Sequence, residues 1–247
     1  MLRGDVSPES VLSEGERTCV ALAGFLAELK ASKNSSAIVL DDPVTSLDHK
    51  YRRRVAELLV NEACTRQVVV FTHDIVFLFL LRKYTATHSV VCSEVSLERG
   101  YKEHGIARDG PPWVALSVSK RIGVLRNALQ EARALQKGGK PAELEQKLEW
   151  IYKRLRQTWE RSIEEVLLNG VVTRFGESVQ TQRLRTLTDI TYSDIELVDH
   201  EMARCSDYVH DESGAVNAGL PDCETVSDDV ERLATWVKQL RKERSRG

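Results

Sequence analysis

The sequence predicts an α/β lobe over residues 1–110 followed by a mainly helical domain over residues 111–247. Three observations carry this reading. Two short apolar runs, Ala37-Ile38-Val39-Leu40 and Val68-Val69-Val70-Phe71, each end in polar residues and each lead into a helical pattern. Past Trp113 helical apolar spacing dominates. Between the two regions lies a polar, Gly-containing stretch, Ser93 to Pro112, that suits a hairpin or loop and sets the domain boundary near Gly110–Pro112.

Each element has a local reason. Residues 13–32 read as a helix because Val20, Leu22, Ala23, Leu26, Ala27 and Leu29 form a wide apolar face, and Ser13 with Glu16 makes an S-x-x-E capping box at its start. The run 37–40 shows no alternation, which predicts a strand buried on both faces, as in a parallel sheet. Residues 48–62 read as a helix, 67–72 as a second buried strand, and the stretch to Tyr84 as an apolar helix. Val90 and Val91 predict a third strand. In the second domain, Lys137-Gly138-Gly139-Lys140-Pro141 separates two long helices, which predicts an antiparallel helical hairpin over about 113–169. Further helices are expected at 192–204 and 226–244.

Composition narrows the class. The 247 residues suffice for one sizeable core, or one core and a smaller second domain. At 42% hydrophobic and 29% charged, the chain has the make-up of a folded protein rather than a disordered one. Its five cysteines, Cys19, Cys64, Cys92, Cys205 and Cys223, are odd in number and lack C-x-x-C spacing. That disfavours a zinc site or a disulfide framework and predicts reduced thiols in a cytoplasmic protein. The most apolar run, Val68 to Leu81, is broken by His73 and Asp74 and is too short to span a bilayer. No apolar stretch follows Arg3, so no signal peptide is expected. Charge is unevenly spread: residues 117–185 hold 14 Lys/Arg against 8 Asp/Glu, and residues 187–231 hold 13 Asp/Glu against Arg204 alone. Two readings stay open, solvated helix faces that partly neutralise each other, or a basic helical surface for nucleic acid.

The strongest chemical constellation is Ile38-Val39-Leu40-Asp41-Asp42. A strand here delivers two carboxylates to its C-terminal end, the edge where ligands bind in parallel α/β sheets. The first can hold Mg²⁺ beside nucleotide phosphates, and the next can orient or deprotonate an attacking water. Two acids capping a turn before Pro43 is the plainer alternative. Ser46-Leu47-Asp48 follows, and the second run ends in Thr72-His73-Asp74, where a His can reach a γ-phosphate or the attacking water. Ser13 and the backbone around Gly15 sit at a helix N-terminus, where the dipole favours an anion and Gly permits close approach.

Taken together, L-S-E-G-E, I-V-L-D-D-P, S-L-D and F-T-H-D resemble the C-terminal half of a soluble ABC-class ATPase head of the AAA family. The group includes chromosome-maintenance, DNA-repair and anticodon-nuclease relatives, and D-D-P-V-T-S-L-D looks most like the ATPase module of anticodon nucleases and phage-defence proteins. The likeness covers residues 11–81 and implies a partial P-loop NTPase lobe with a parallel sheet. It implies ATP and Mg²⁺ as cofactors. Asp41 matches the magnesium-site acid of the Walker B strand. Asp42 stands where the family usually has a catalytic Glu, and His73 matches the switch histidine. Ser46 and Asp48 match the D-loop at a dimer interface. Ser13, Gly15 and Glu16 match the signature that reads a γ-phosphate held by the opposite subunit of a head-to-head dimer. The usual L-S-G-G-Q has become L-S-E-G-E, which brings Glu14 and Glu16 near a polyphosphate, with Arg17 to offset some charge. Asp42 is one methylene shorter than Glu, which predicts slow hydrolysis.

The sequence holds no G-x-x-x-x-G-K-[ST] phosphate cradle, the Walker A loop that precedes the signature in this family. Three expectations follow from that gap: a fragment, one half of a split ATPase that meets a Walker A-bearing half or second subunit, or a remnant that no longer uses ATP. The leading expectation is an ATPase half that gates a nucleic-acid-directed or phage-defence effector and is inactive alone.

The helical domain offers a second possibility. Arg204 and His210, six apart, resemble the R-x(4–6)-H motif of HEPN-type ribonucleases, in which Arg would stabilise phosphate charge and His would act as acid or base. Arg161, Glu165 and His200 can instead be read as an anticodon-nuclease set, or Arg161 and Glu165 as a surface ion pair. A non-catalytic interaction module is the third reading. Trp150, Trp159 and Trp236 are expected to serve helix packing.

Overall fold

A computed structural model describes residues 11–32, 35–100, 105–173, 179–208 and 221–245. The chain forms two compact units, Met1–Ala115 and Leu116–Gly247.

In the first unit, helix α1 (Glu14–Ala31) precedes strand β1 (Ile38–Asp41). Helix α2 (His49–Ala63) crosses over to strand β2 (Val68–Phe71), and helix α3 (Ile75–Thr87) follows. The strands pair in parallel with Ile38 opposite Val68 and Asp41 opposite Phe71. Leu22 and Leu26 of α1, Val55 and Leu59 of α2, and Phe77 of α3 close over Ile38 in one core. Each such buried side chain contributes roughly 1.5–3 kcal/mol. Val44 and Leu47 sink into the same core and pin the loop between β1 and α2.

The expectation of strands buried on both faces is corrected here. Val39 is 62% exposed and Phe71 47%, so the sheet is covered on the Ile38 face and open on the other. A strand four residues long spends alternate side chains on opposite faces, and the three helices pack on one of them. The apolar stripe of α1 is narrower than its sequence suggests, since Leu22 and Leu26 are buried while Val20, Ala23 and Ala27 are exposed.

The third strand also moves. Val90 and Val91 lie in coil, with Val91 95% exposed. Ser89 adopts a left-handed φ of 55° just after α3, and the Val90 N–H donates to Thr85 O at 2.9 Å, which turns the chain away from the sheet. The hairpin forms later, from strands β3 (Val95–Glu98) and β4 (Ile106–Asp109), paired antiparallel. Arg82 of α3 holds its start, donating to both oxygens of Glu94 at 2.6 Å and to Ala115 O at 3.0 Å.

The second unit is helical. Helices α4 (Val118–Lys137) and α5 (Pro141–Ser162) meet across Gly138-Gly139-Lys140, where Gly139 takes φ 66° and Pro141 opens α5. A π turn at Ile163–Leu167 extends α5. Helices α6 (Tyr192–Asp207) and α7 (Cys223–Arg244) complete the unit. Leu125, Ile151, Leu155, Trp159 and Leu233 are fully buried, and the rings of Trp159 and Trp236 lie 5.2 Å apart. Trp150 instead packs beneath Lys147 and Arg154, whose cations sit 5.2 and 5.4 Å from its ring.

Burial also sorts the thiols. Cys205 is buried, and loss of hydration pushes its thiol up to about 12. Cys64 and Cys92 are exposed. Alkylation followed by mass spectrometry is expected to label Cys64 and Cys92 in the native protein, and Cys205 only after unfolding. Equal labelling of all three would contradict this packing.

Candidate functional site

Asp41, Asp42 and His73 lie at the C-terminal ends of β1 and β2. Asp42 follows β1 with φ 40°, a left-handed conformation that Asp and Asn tolerate better than most residues. Its N–H donates to Phe71 O at 2.7 Å, which extends the strand pairing by one residue. Its carboxylate is bracketed. Thr72 Oγ1 donates to Asp42 Oδ1 at 3.0 Å, and His73 Nδ1 faces Asp42 Oδ2. The His73 ring is otherwise open to solvent, with 87% of the side chain exposed against 15% for Asp42. A proton on Nδ1 shared with the carboxylate leaves Nε2 as the acceptor. The pair can therefore orient an incoming water or phosphate group and move a proton. Asp41 shares the open strand face with Val39 and is exposed at the strand end.

The loop after Asp42 is built to hold a shape. Thr45 N and Thr45 Oγ1 both donate to Asp42 O, at 3.3 and 3.2 Å, and Leu47 N donates to Val44 O at 3.1 Å. Ser46 takes φ 63°, between the buried Val44 and Leu47. The Ser46 carbonyl meets α1: a Cβ on Gly15 would lie 2.6 Å from Ser46 O. Gly15 is therefore required by a backbone approach, and the approach brings the start of α1 to the loop that follows β1.

Both helix starts at this edge are capped by carboxylates. Glu16 N donates to Ser13 Oγ at 3.3 Å, while Ser13 N and Ser13 Oγ donate to Glu16 Oε2 at 2.9 and 2.8 Å. The Ser13 hydroxyl, then its N–H, holds the Glu16 carboxyl below the usual range. Asp48 Oδ1 accepts from Tyr51 N at 3.1 Å and Lys50 N at 2.9 Å, and the Tyr51 N–H chiefly lowers its carboxyl. A lowered folded-state value means stability that is complete above the unfolded carboxylate range and is lost as pH falls through the folded value. Asn caps as well as Asp but does not titrate there. Asp48→Asn is thus expected to lose less stability on acidification than wild type, as read from urea midpoints at neutral and acid pH. An equal loss would remove Asp48 from the acid response.

The profile of the AAA domain family matches residues 1–217. The chain belongs to the AAA domain family. Among solved structures, one from work on the structural biochemistry of ATP-driven dimerization and DNA-stimulated activation of SMC ATPases is similar at 20% identity and a TM-score of 0.33. That similarity takes in 51% of the AAA domain chain and 66% of the other chain's length. No curated protein is similar to it at a significant level.

The side chains of this AAA domain bear on nucleotide and magnesium in two places, the start of α1 and the end of β1. The Ser13 N–H and hydroxyl are engaged by an anion of the same helix, the Glu16 carboxylate, so a phosphate at the α1 start takes these donors only by displacing it. Among the described residues no group of three His, Cys, Asp or Glu forms a metal cage. A single strand-end carboxylate such as Asp41 is nevertheless the donor that Mg²⁺ takes when phosphates complete its shell. Three further residues shape this edge, Thr72, Asp74 and Arg52. Thr72 and Asp74 flank His73 without a chemical signature of their own, and Arg52 carries no local sign of its pairing with Asp74, which is distant in the chain.

The two arginines of the alternative nuclease readings are held in ion pairs. Arg204 Nε donates to Asp229 at 3.1 and 2.9 Å, and its charge is further secured by that hydrogen bond. His210 lies outside the described residues. Arg161 pairs with Glu164 at 3.0 Å and Glu165 at 3.5 Å. Glu165 in turn accepts from Val118 N at the start of α4 and pairs with Arg241. His200 Nδ1 lies 3.2 Å from Glu201. Among the described residues no helix is long and apolar enough to cross a membrane.

Proposed function

We propose that this chain supplies one edge of a composite ATP site, the signature, Walker B, D-loop and H-loop edge, to a Walker A-bearing half or second subunit in a head-to-head arrangement. The observation that carries the reading is the close approach of Gly15 to Ser46 O, which joins the start of α1 to the loop running from Asp42 to Asp48. In this reading Ser13, Gly15 and Glu16 face a phosphate held by the partner, and Ser46 and Asp48 line the interface. The open sheet face with Val39 and Phe71 supports a covering partner layer, because parallel sheets are covered on both faces.

Asp41 would hold Mg²⁺, which when bound neutralises phosphate charge. Asp42 positions the attacking water and accepts its proton, while His73 orients Asp42 through its Nδ1–H and accepts from the water through Nε2. Asp in place of Glu makes the site slow. The chain alone is inactive, and turnover gates an effector that acts on nucleic acid or in phage defence. Association of the chain with a Walker A-bearing head, followed by analytical ultracentrifugation, is expected to require ATP with Mg²⁺ and to fail for Gly15→Ala. Association indifferent to nucleotide would favour an interaction module instead.

A further inference from the structure

Arg52 ties together two loops that the sequence motifs treat separately. It sits in the first turn of α2, with its side chain about one-third exposed. Its Nε donates to Leu47 O at 2.9 Å, in the loop whose Ser46 carbonyl meets Gly15. Its Nη1 pairs with Asp74 Oδ2 at 2.6 Å, on the residue directly after His73. Asp74 is anchored in turn. Its Oδ1 accepts from Phe77 N at 3.0 Å to cap α3, and its N–H donates to Thr72 Oγ1 at 3.0 Å. Thr72 Oγ1 donates to Asp42 Oδ1. The connection from Ser46 and Leu47 through Arg52, Asp74 and Thr72 to Asp42 and His73 is thus unbroken.

We infer that Arg52 is a positioning residue that makes the geometry of the Asp42–His73 pair depend on the conformation of the Val44–Asp48 loop. The fork of a guanidinium is suited to this, because it holds a carbonyl and a carboxylate at once in fixed relation. Two residues at the ends of the path, Asp42 and Ser46, have left-handed backbone, a conformation that persists when surrounding contacts over-determine it. A group that presses on Ser46 or Gly15 would shift Leu47 O, and Arg52 would carry the shift to the segment bearing His73. The inference rests on the proposed ATP site for its functional consequence, but the mechanical link is independent of it.

Hydrogen exchange on the full chain tests the link. Asp74→Asn keeps the α3 cap, since Asn caps as well as Asp, and removes the charge that binds Arg52. It is expected to speed exchange of the Thr45 and Leu47 amides, in the other loop, by roughly tenfold, the scale of one charge-assisted hydrogen bond. Arg52→Gln is expected to speed exchange at Thr45 and Leu47 and also at Phe77 and Leu78. Wild-type rates at Thr45 and Leu47 in Asp74→Asn would overturn the inference, and this arm decides alone if Arg52→Gln does not fold. In a nucleotide-competent assembly, Asp74→Asn is expected to lower kcat while leaving KM for ATP near wild type. Faster loop exchange with no turnover in any assembly would leave the link standing and remove the ATP reading. Turnover with unresponsive loops would do the reverse.

Discussion

Asp42→Asn is expected to lower ATP hydrolysis by the completed site about 10²–10⁴-fold, the range of a lost general base. Asn is the informative replacement for three reasons. It tolerates the left-handed φ of 40° at this position, so the backbone need not move. Its amide oxygen can still accept from Thr72 Oγ1, which preserves one side of the bracket. What it removes is the negative charge that faces His73 Nδ1 and that would accept a proton from water. His73→Ala should produce a loss of similar order if the two act as a unit, and the double variant should be little worse than either single one. Turnover of the variants in the assembly, with association measured alongside, separates lost chemistry from lost assembly.

The largest stability effect is expected in the helical unit. Asp229 and Glu201 are each 1% exposed, yet both carry charged partners. Tyr152 Oη donates to Asp229 Oδ2 at 2.7 Å, and Arg204 Nε donates to both oxygens of the same carboxylate. Arg232 joins Asp229 at 3.5 Å and Glu201 at 2.5 Å. Burial first, and the Asp229 hydrogen bond second, push the Tyr152 phenol well above its ordinary range, so it stays a donor. Asp229→Ala leaves the fully buried Tyr152 hydroxyl unpaired and strips Arg204 of its counter-ion. The expected cost is roughly 3–5 kcal/mol, as for other broken buried pairs. Tyr152→Phe removes only the donor and should cost about 1–2 kcal/mol. Urea unfolding of the two variants gives the comparison, and a mild effect of Asp229→Ala would mean that the network is dispensable.

These effects differ in how far they could be read from the chain. The S-x-x-E box at Ser13 and Glu16 is local, and it forms as the spacing predicts. The carboxylates at the end of β1 and His73 past β2 follow from strand length and parallel pairing, both of which were legible. The run Ile38-Val39-Leu40 misled because an apolar run without alternation carries no record of which face is covered. Val90-Val91 misled because β-branched residues favour strands only where a neighbour pairs with them, and the turn at Ser89 takes them elsewhere. Arg52 and Asp74, Tyr152 and Asp229, and Arg204 and Asp229 are contacts between residues far apart in the chain. Sequence spacing held no sign of them. Asp229 itself sits in an acidic stretch that reads as solvated surface, and only the helix packing shows it to be buried.

In the proposed assembly this chain supplies the signature and Walker B edge of the ATP site, and its partner supplies the phosphate cradle. Calorimetric titration of ATP with Mg²⁺, into the chain alone and into the chain mixed with a Walker A-bearing head, tests this division most directly. Sub-millimolar binding is expected only in the mixture, and tighter there than to the head alone, with the gain lost for Gly15→Ala. Sub-millimolar binding to the chain alone, or a mixture no better than the head, would contradict the account.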